Sequence, residues 1–383
     1  MLSRRRLVQT FALAAGAASL GSTAAPAGEP TLDQLARAKG MRFGSAVGYM
    51  GRMSPFHDVA YRELVARECG VFVCENETKW QHLRRDPSKP YDFRAADEMF
   101  AWAQGHGMAL RGHTLLWFEP KWLPVWVNAL NYGAKDGEAA TQLLTEHIRT
   151  TCSHFGERIE SWDVVNEAVH PDTGEMHGNV FSAPFGGGSE GGVAQIDLAF
   201  RLAREHAPKA QLVYNDYMNW GTASAKHRGG VLRLLTELKR RGTPVQALGI
   251  QAHISPHGKP GTTDDEPIER ASQWRRFLDD VQALGLDLLV TEFDVNDRRT
   301  PADIAQRDAA VAAHARDWLD VTLAAPRLNR FLCWGLSNKY TWLHGFDPRE
   351  DKLPKRGLPY DDEFNPTPLR QALADAMRAM PAR

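Results

Sequence analysis

Eight short apolar runs, each followed by a stretch of helical period, constrain this chain more than any other feature. The runs are Arg42–Val47, Val71–Glu75, Ala109–Trp117, Ile159–Asn166, Gln211–Asp216, Ala247–His253, Leu286–Asp294 and Arg330–Gly335. The stretches of helical period are Val59–Cys69, Ala95–Gly105, Ala139–Phe155, Ile196–His206, Ala225–Arg241, Pro267–Leu284, Ala302–Leu323 and Pro368–Met377. Strands separated by helices pair in parallel, because each helix carries the chain back to the start of the next strand. At roughly 150 residues per domain, a chain of 383 residues suggests two domains. Eight strand–helix units with no Pro/Ser-rich linker fit a single α/β domain instead, a closed (β/α)8 TIM barrel, since such barrels run to about 250 residues or more.

Local signals agree with that layout. Lys239, Arg240 and Arg241 put cations on the last turn of a helix, and Gly242 stands just beyond it. The basic run is therefore a helix end, and nucleic acid is not an expected partner. Gly186–Gly192, a Gly/Ser-rich stretch, reads as a surface loop after the fourth strand.

Residues 1–27 read as an export signal, which leaves 28–383 as the folded domain. Arg4, Arg5 and Arg6 precede an apolar run from Leu7 to Leu20, and small residues follow as far as Ala27. That run is shorter than the roughly 20 residues a bilayer span needs. The adjacent arginines point to the twin-arginine route, so the mature protein is expected in the periplasm or outside the cell, with no membrane association. A formal net charge of −1 favours neither nucleic acid nor an anionic surface. Cys69, Cys74, Cys152 and Cys333 show no CxxC pair and no zinc spacing, and no bridge is demanded. Neither a cofactor nor a metal is expected.

In a closed barrel the reactive groups stand where strands end and loops begin, on one face. The fourth run ends in Asn166-Glu167, and the seventh ends in Thr291-Glu292-Phe293-Asp294. The third leads into His113 and the sixth into Gln251 and His253. An apolar strand that stops on a carboxylate loses stability unless that group is paired or used. Two carboxyl groups in one mouth suit glycoside hydrolysis, where one donates a proton to the leaving oxygen and the other acts as an anion. Eleven Trp residues are many for this length, and their flat rings suit sugar faces as well as cores.

Seven sequence blocks sharpen this reading. They are Glu75-Asn76 with Lys79, GHTLLW (Gly112–Trp117), WDVVNEA (Trp162–Ala168), NDY (Asn215–Tyr217), GIQAH (Gly249–His253), TEFD (Thr291–Asp294) and WGLSNKYTW (Trp334–Trp342). In content and order they resemble the family 10 glycoside hydrolases, whose typical activity is endo-β-1,4-xylanase acting with retention on xylan or xylo-oligosaccharides. The resemblance implies that Glu167 is the acid/base and Glu292 the nucleophile. It implies that Asn166 bonds a sugar 2-hydroxyl, and that His253 aims Glu292 and is itself oriented by Asp294. His113 and Gln251 would line the site of the cleaved sugar, with Glu75, Asn76 and Lys79 one sugar further toward the non-reducing end. Trp117, Trp334 and Trp342 would wall the cleft and stack on pyranose rings.

One departure stands out. After GHTLLW the family continues with His-Ser-Gln, whereas this chain has Phe118-Glu119-Pro120, and Pro120 offers no side-chain hydrogen bond. Altered binding on the non-reducing side is expected. Trp102, Trp122, Trp126, Trp220 and Trp318 match no block and read as packing. Tyr214 reads as core, while Asp216 and Tyr217 are equally compatible with packing and with the cleft. Competing readings are a barrel glycosidase for another β-glycan or for short xylo-oligosaccharides, and a carbohydrate-binding barrel without catalysis. A metal-dependent hydrolase using His113, His253 and Glu292 finds no HxH or HExxH cluster in support. Oligomeric state is not legible.

Overall fold

A computed structural model describes residues 29–49, 54–132, 137–256 and 266–383, and Thr31–Arg383 forms one compact unit. The expected export signal lies outside the described residues. Among the described residues there are nine parallel strands: β1 Arg42–Val47, β2 Val71–Cys74, β3 Ala109–Trp117, β4 Ile159–Asn166, β5 Gln211–Asp216, β6 Ala247–Ile250, β7 His253–Ile254, β8 Asp287–Val295 and β9 Leu328–Cys333. Pairing runs from β6 through β1 to β9 and β8, and β6 also pairs with β8, which closes a ring of eight. β7 is a two-residue continuation that pairs with the end of β8. The closed (β/α)8 barrel follows.

The expected strand Ala247–His253 is broken in the middle. Ala252 has φ 63°, a left-handed conformation that an alanine adopts only at a cost, so the ladder lapses between β6 and β7. Apart from the helix expected over Ile196–His206, which begins at Gly188, strands and helices match their sequence signals to within a few residues, as in the helices Ala225–Arg240 and Pro267–Ala283.

Successive strand residues face opposite ways. Phe43, Val47, Phe72 and Cys74 join the large apolar core under the helices. Their neighbours Ala46, Val71 and Val73 form a separate cluster with Leu332 and Trp334, and Val213, Ala247 and Leu289 form another. These fill the barrel interior together with a buried ion pair between Arg111 and Asp163. Arg111 also donates to Ser161 Oγ at 3.0 Å. All four cysteines are buried free thiols. Among the described residues no helix is long and apolar enough to cross a membrane.

The stretch Gly186–Gly192 is not the loop its composition suggests. Gly187, at φ 71°, caps a helix over Gly188–His206, so most of the glycine run is helical. Gly191 and Gly192 are buried there, and a Cβ on Gly191 would stand 2.3 Å from the Ser182 carbonyl oxygen. Absent side chains let this helix approach the loop after β4, and that contact outweighs the low helix propensity of glycine. Replacement by alanine, Gly191→Ala, is expected to destabilise the fold by about 1–3 kcal/mol through overpacking. A urea or thermal unfolding midpoint equal to wild type would contradict this.

Candidate active site

The ends of the strands open into a cavity of about 730 Å³. Its lining includes Glu75, Asn76, Lys79, His113, Trp117, Asn166, Glu167, Gln251, His253, Glu292, Trp334 and Trp342. Asp294 stands behind it, fully buried. Every residue singled out from the sequence therefore lines or backs one cleft.

Glu167 is the first residue after β4 and has φ 57°, a conformation uncommon for a side-chain-bearing residue and often kept at functional positions. Its backbone N–H donates to Asn215 O at 2.9 Å, which holds the turn. Trp117 Nε1 donates to one carboxylate oxygen and Gln251 Nε2 to the other, each at 2.8 Å. Burial raises the Glu167 pKa to about 7, with the charges of Asp216 and Glu292 adding to it and the two hydrogen bonds opposing it. Asp216 is itself buried and bonded to His227 at 3.0 Å.

Glu292, on β8, is tuned the other way. Burial pushes its pKa up, but the hydrogen bond from His253 and the charges of His113, His253 and Lys79 prevail and hold it at about 2. His253 Nε2 lies 3.3 Å from Glu292 Oε2, and its Nδ1 lies 3.0 Å from Asp294 Oδ2. The second contact is off the hydrogen-bond line and acts as an ion pair. Burial lowers the His253 pKa, yet Asp294 and Glu292 together raise it to about 10, so the imidazole stays cationic through the neutral range. Trp342 Nε1 donates to Asp294 at 2.7 Å and fixes that carboxylate.

Asn215 ties the two sides together. Its Nδ2 donates to Glu292 Oε1 at 2.7 Å and to Asn166 Oδ1 at 2.8 Å, while its Oδ1 accepts from Thr291 Oγ1 at 2.7 Å. Gln251 joins the same chain through Asn166 Oδ1 at 3.3 Å. Asn166 Nδ2 is left buried with no partner, a donor free for a ligand oxygen. His113 bonds Asp163 at 2.9 Å, and that carboxylate in turn pairs with Arg111.

Lys79 is 5% exposed, and burial lowers its pKa although Glu292, Glu75 and Glu167 all attract its charge. Its ammonium bonds Asn76 Oδ1 at 2.9 Å and sits 4.6 Å from the centroid of the Trp117 ring. Trp122 stacks on Trp117 at 4.6 Å and 21°. A parallel indole fills one face of a ring, so the ammonium takes the other, and Trp117 has little open face left for a sugar. Trp122, read from the sequence as packing, is 36% exposed and lines the cavity. Trp220 also reaches the cavity, although it is almost wholly buried. Trp102, Trp126 and Trp318 pack as expected. Tyr217 lines the cleft and Tyr214 is core, its hydroxyl accepting from Ala168 N at 3.1 Å.

The departure at Phe118-Glu119-Pro120 has a structural consequence. Phe118 is buried, and Pro120 opens a 3-10 turn over Pro120–Trp122 that delivers Glu119, Lys121 and Trp122 to the cavity. No repeat or motif marks Trp122, which becomes visible only when that turn folds back on Trp117. Among the described residues no group of three His, Cys, Asp or Glu is disposed to hold a metal ion.

A closed parallel barrel with two oppositely tuned glutamates at its strand ends defines a glycosidase of the two-carboxylate class. The model of glycosyl hydrolase family 10 matches residues 31–376, and the chain belongs to that family. It is 28% identical over 319 residues to endo-1,4-β-xylanase B of Thermotoga neapolitana, covering 83% of each chain. It is 31% identical over 317 residues to a β-1,4-xylanase of Dictyoglomus thermophilum, covering 80% of this chain and 81% of that one. Native xylanase 10B of Thermotoga maritima superimposes with a TM-score of 0.76 at 28% identity, over 91% of this chain and 98% of that one. Xylanase 10B of Thermotoga petrophila RKU-1, solved with xylobiose, gives the same TM-score and identity over 91% and 97%.

Replacing Trp117 by phenylalanine removes a donor to the ionised form of Glu167. The Glu167 titration in Trp117→Phe is therefore expected to move up from about 7. Carbon NMR of labelled glutamate reads it directly, and an unchanged or lowered value would contradict the assignment.

Proposed function

We propose that this glycoside hydrolase is a retaining endo-1,4-β-xylanase, with Glu167 as acid/base and Glu292 as nucleophile. The observation that carries the reading is the opposite tuning of two carboxyl groups in one cleft, Glu167 at about 7 and Glu292 at about 2. At pH 6 the first holds its proton and the second does not. Glu167 then protonates the glycosidic oxygen as Glu292 attacks the anomeric carbon, and the C–O bond to the leaving sugar breaks. Esterified Glu292 has lost its charge, so one of the influences raising the Glu167 pKa disappears. Glu167, now ionised, takes a proton from water as that water attacks the anomeric carbon and frees Glu292.

The other roles follow from position. His253, cationic and backed by Asp294, aims Glu292 and keeps it ionised. Asn166 Nδ2 is the free donor for the 2-hydroxyl, a bond that tightens as positive charge develops on the ring. His113 and Gln251 contact the cleaved sugar, while Glu75, Asn76 and Lys79 hold the next one toward the non-reducing end. Trp334 and Trp342 wall the cleft. The exposed aromatic face on the β3 side is that of Trp122, which takes over contact where Pro120 has none. Residues 28–383 are the catalytic domain in this reading. The arginines of residues 4–6 and the apolar Leu7–Leu20 run support export to the periplasm or beyond.

Glu167→Gln and Glu292→Gln are each expected to lower kcat on unbranched xylan by about 10²–10⁴-fold or more, with the fold intact by circular dichroism. Turnover equal to wild type in either variant would remove the catalytic role from that glutamate. In the wild type, kcat/KM is expected to fall about tenfold per pH unit above the Glu167 value near 7, because the acid must be protonated. Proton NMR of early products should show the β-anomer, whereas α-anomer first would remove the nucleophile role from Glu292.

The walls make a separate prediction. Trp122→Ala is expected to raise KM for long xylo-oligosaccharides about 3–10-fold and to shift product lengths, with little effect on the shortest substrates. Product profiles that match wild type would return Trp122 to packing.

A further inference from the structure

The reaction steps use Glu167 and Glu292 but leave a third buried carboxylate without a role. Asp216 is the last residue of β5 and is fully buried. The register Asn166↔Asn215 sets the ends of β4 and β5 side by side, so Glu167 and Asp216 follow as neighbours. Hydrogen bonds fix that neighbourhood. Tyr214 Oη accepts from Ala168 N at 3.1 Å, next to Glu167, and donates to Asp216 Oδ2. Gln251 N donates to Asp216 O at 3.1 Å, while its Nε2 donates to Glu167.

A carboxylate removed from water favours its neutral form unless donors satisfy the charge. Besides the Tyr214 hydroxyl, Asp216 accepts from Tyr217 N at 2.8 Å, and His227 Nε2 lies 3.0 Å from its Oδ1. An ionised carboxylate only accepts, so that ring nitrogen carries the hydrogen. His227 stands in the first turn of the helix Ala225–Arg240, 1% exposed, with its ring edge-on to Tyr217 at 4.9 Å. A histidine buried between helix and barrel calls for a reason, since an apolar side chain would fill the place without polar atoms to satisfy. The bond to Asp216 supplies it.

Other ionisable groups face the same corner. Glu292 on β8 and Lys79 after β2 act on Glu167. Glu119 after β3 and Asp172 in the loop after β4 act on Tyr217, as do Asp216 and Glu167 themselves. His177 of that loop lies within electrostatic reach of Glu119, His170, Asp216 and His227, and burial favours its neutral form. Among the described histidines, His227 is the one bonded to the Asp216 carboxylate. We propose that His227 is a positioning residue: by donating to Asp216 it keeps that carboxylate ionised beside Glu167, and the Asp216 charge favours the protonated form of Glu167. The Asp216 charge is indeed one of the influences that hold Glu167 at about 7. This inference rests on the acid/base reading of Glu167 and extends its support to a helix outside the barrel.

Two readouts test it. Carbon NMR of labelled glutamate follows the Glu167 titration, and the alkaline limb of kcat/KM on xylo-oligosaccharide follows the reaction. His227→Phe keeps a ring against Tyr217 but removes the donor, so Asp216 takes up a proton. The Glu167 titration is then expected to move down from about 7 by about half a pH unit or more. The ratio of kcat/KM at pH 8 to that at pH 6 falls about two- to threefold below wild type. His227→Gln supplies a neutral donor and is expected to restore both readouts. Asp216→Asn removes the charge directly and lowers the Glu167 titration, and adding His227→Phe to it changes that titration no further.

An unchanged Glu167 titration in His227→Phe would make His227 a packing residue, and a raised one would make it a screen for the Asp216 charge; either overturns the proposal. If His227→Phe does not fold by circular dichroism, labelled aspartate in the wild type decides. Asp216 ionised throughout the Glu167 titration supports the proposal, and Asp216 protonated at pH 6 overturns it. A lowered Glu167 titration with the alkaline limb unmoved would instead overturn the acid/base reading, so the two failures are distinguishable.

Discussion

Closure of the parallel sheet is the constraint on which everything else depends. The β6–β8 and β1–β9 pairings turn a row of strands into a ring, and their register sets which residues share the mouth. Glu167 and Glu292 are 125 positions apart by number, and β5 and β6 lie between their strands on one side of the ring. Asn215, at the end of β5, can bond Asn166 and Glu292 at once only because β4 and β5 are locked side by side and β8 is brought round next to β6. Inside the ring, Arg111 and Asp163 place a charge pair where a purely apolar filling would serve stability equally well. Asp163 also holds His113, so the pair links barrel filling to the cleft floor.

Environment divides the labour between two chemically identical side chains. Both glutamates are nearly removed from water, and burial acts on both in the same direction. What separates them is the company each keeps. Glu292 faces two histidines and a lysine, while Glu167 faces a second carboxylate, Asp216, and neutral donors. His253 is charged because Asp294 and Glu292 flank it, and its charge in turn keeps Glu292 ionised. The arrangement is mutual, so no one of these groups has its protonation state alone.

The cleft walls show how a local departure reshapes one side of the cavity while the two glutamates keep their places. Pro120 removes an amide side chain but also favours the tight turn that carries Trp122 over Trp117. Trp117 is thereby held between an indole and an ammonium while donating to Glu167, which ties the wall to that carboxyl group. The buried glycines of the following helix act similarly at a distance, since Gly191 and Gly192 let it settle against the segment after β4.

Alternation of strand and helix, and the polar residues at strand ends, were determined by sequence alone, because period and burial are local properties of the chain. The residue types around Glu167 and Glu292 belong to the same category, since their chemistry travels with their neighbours in WDVVNEA and TEFD. Tertiary structure decided the rest. The break at Ala252 depends on a backbone conformation that no alanine announces. The helical start at Gly188 depends on a neighbour, the Ser182 carbonyl, that composition does not reveal. Asp216 acts on Glu167 through charge across space, and Trp122 joins the cleft only through the turn at Pro120. Sequence supplies groups and periods, whereas contacts between distant strands and loops exist only once the ring has closed.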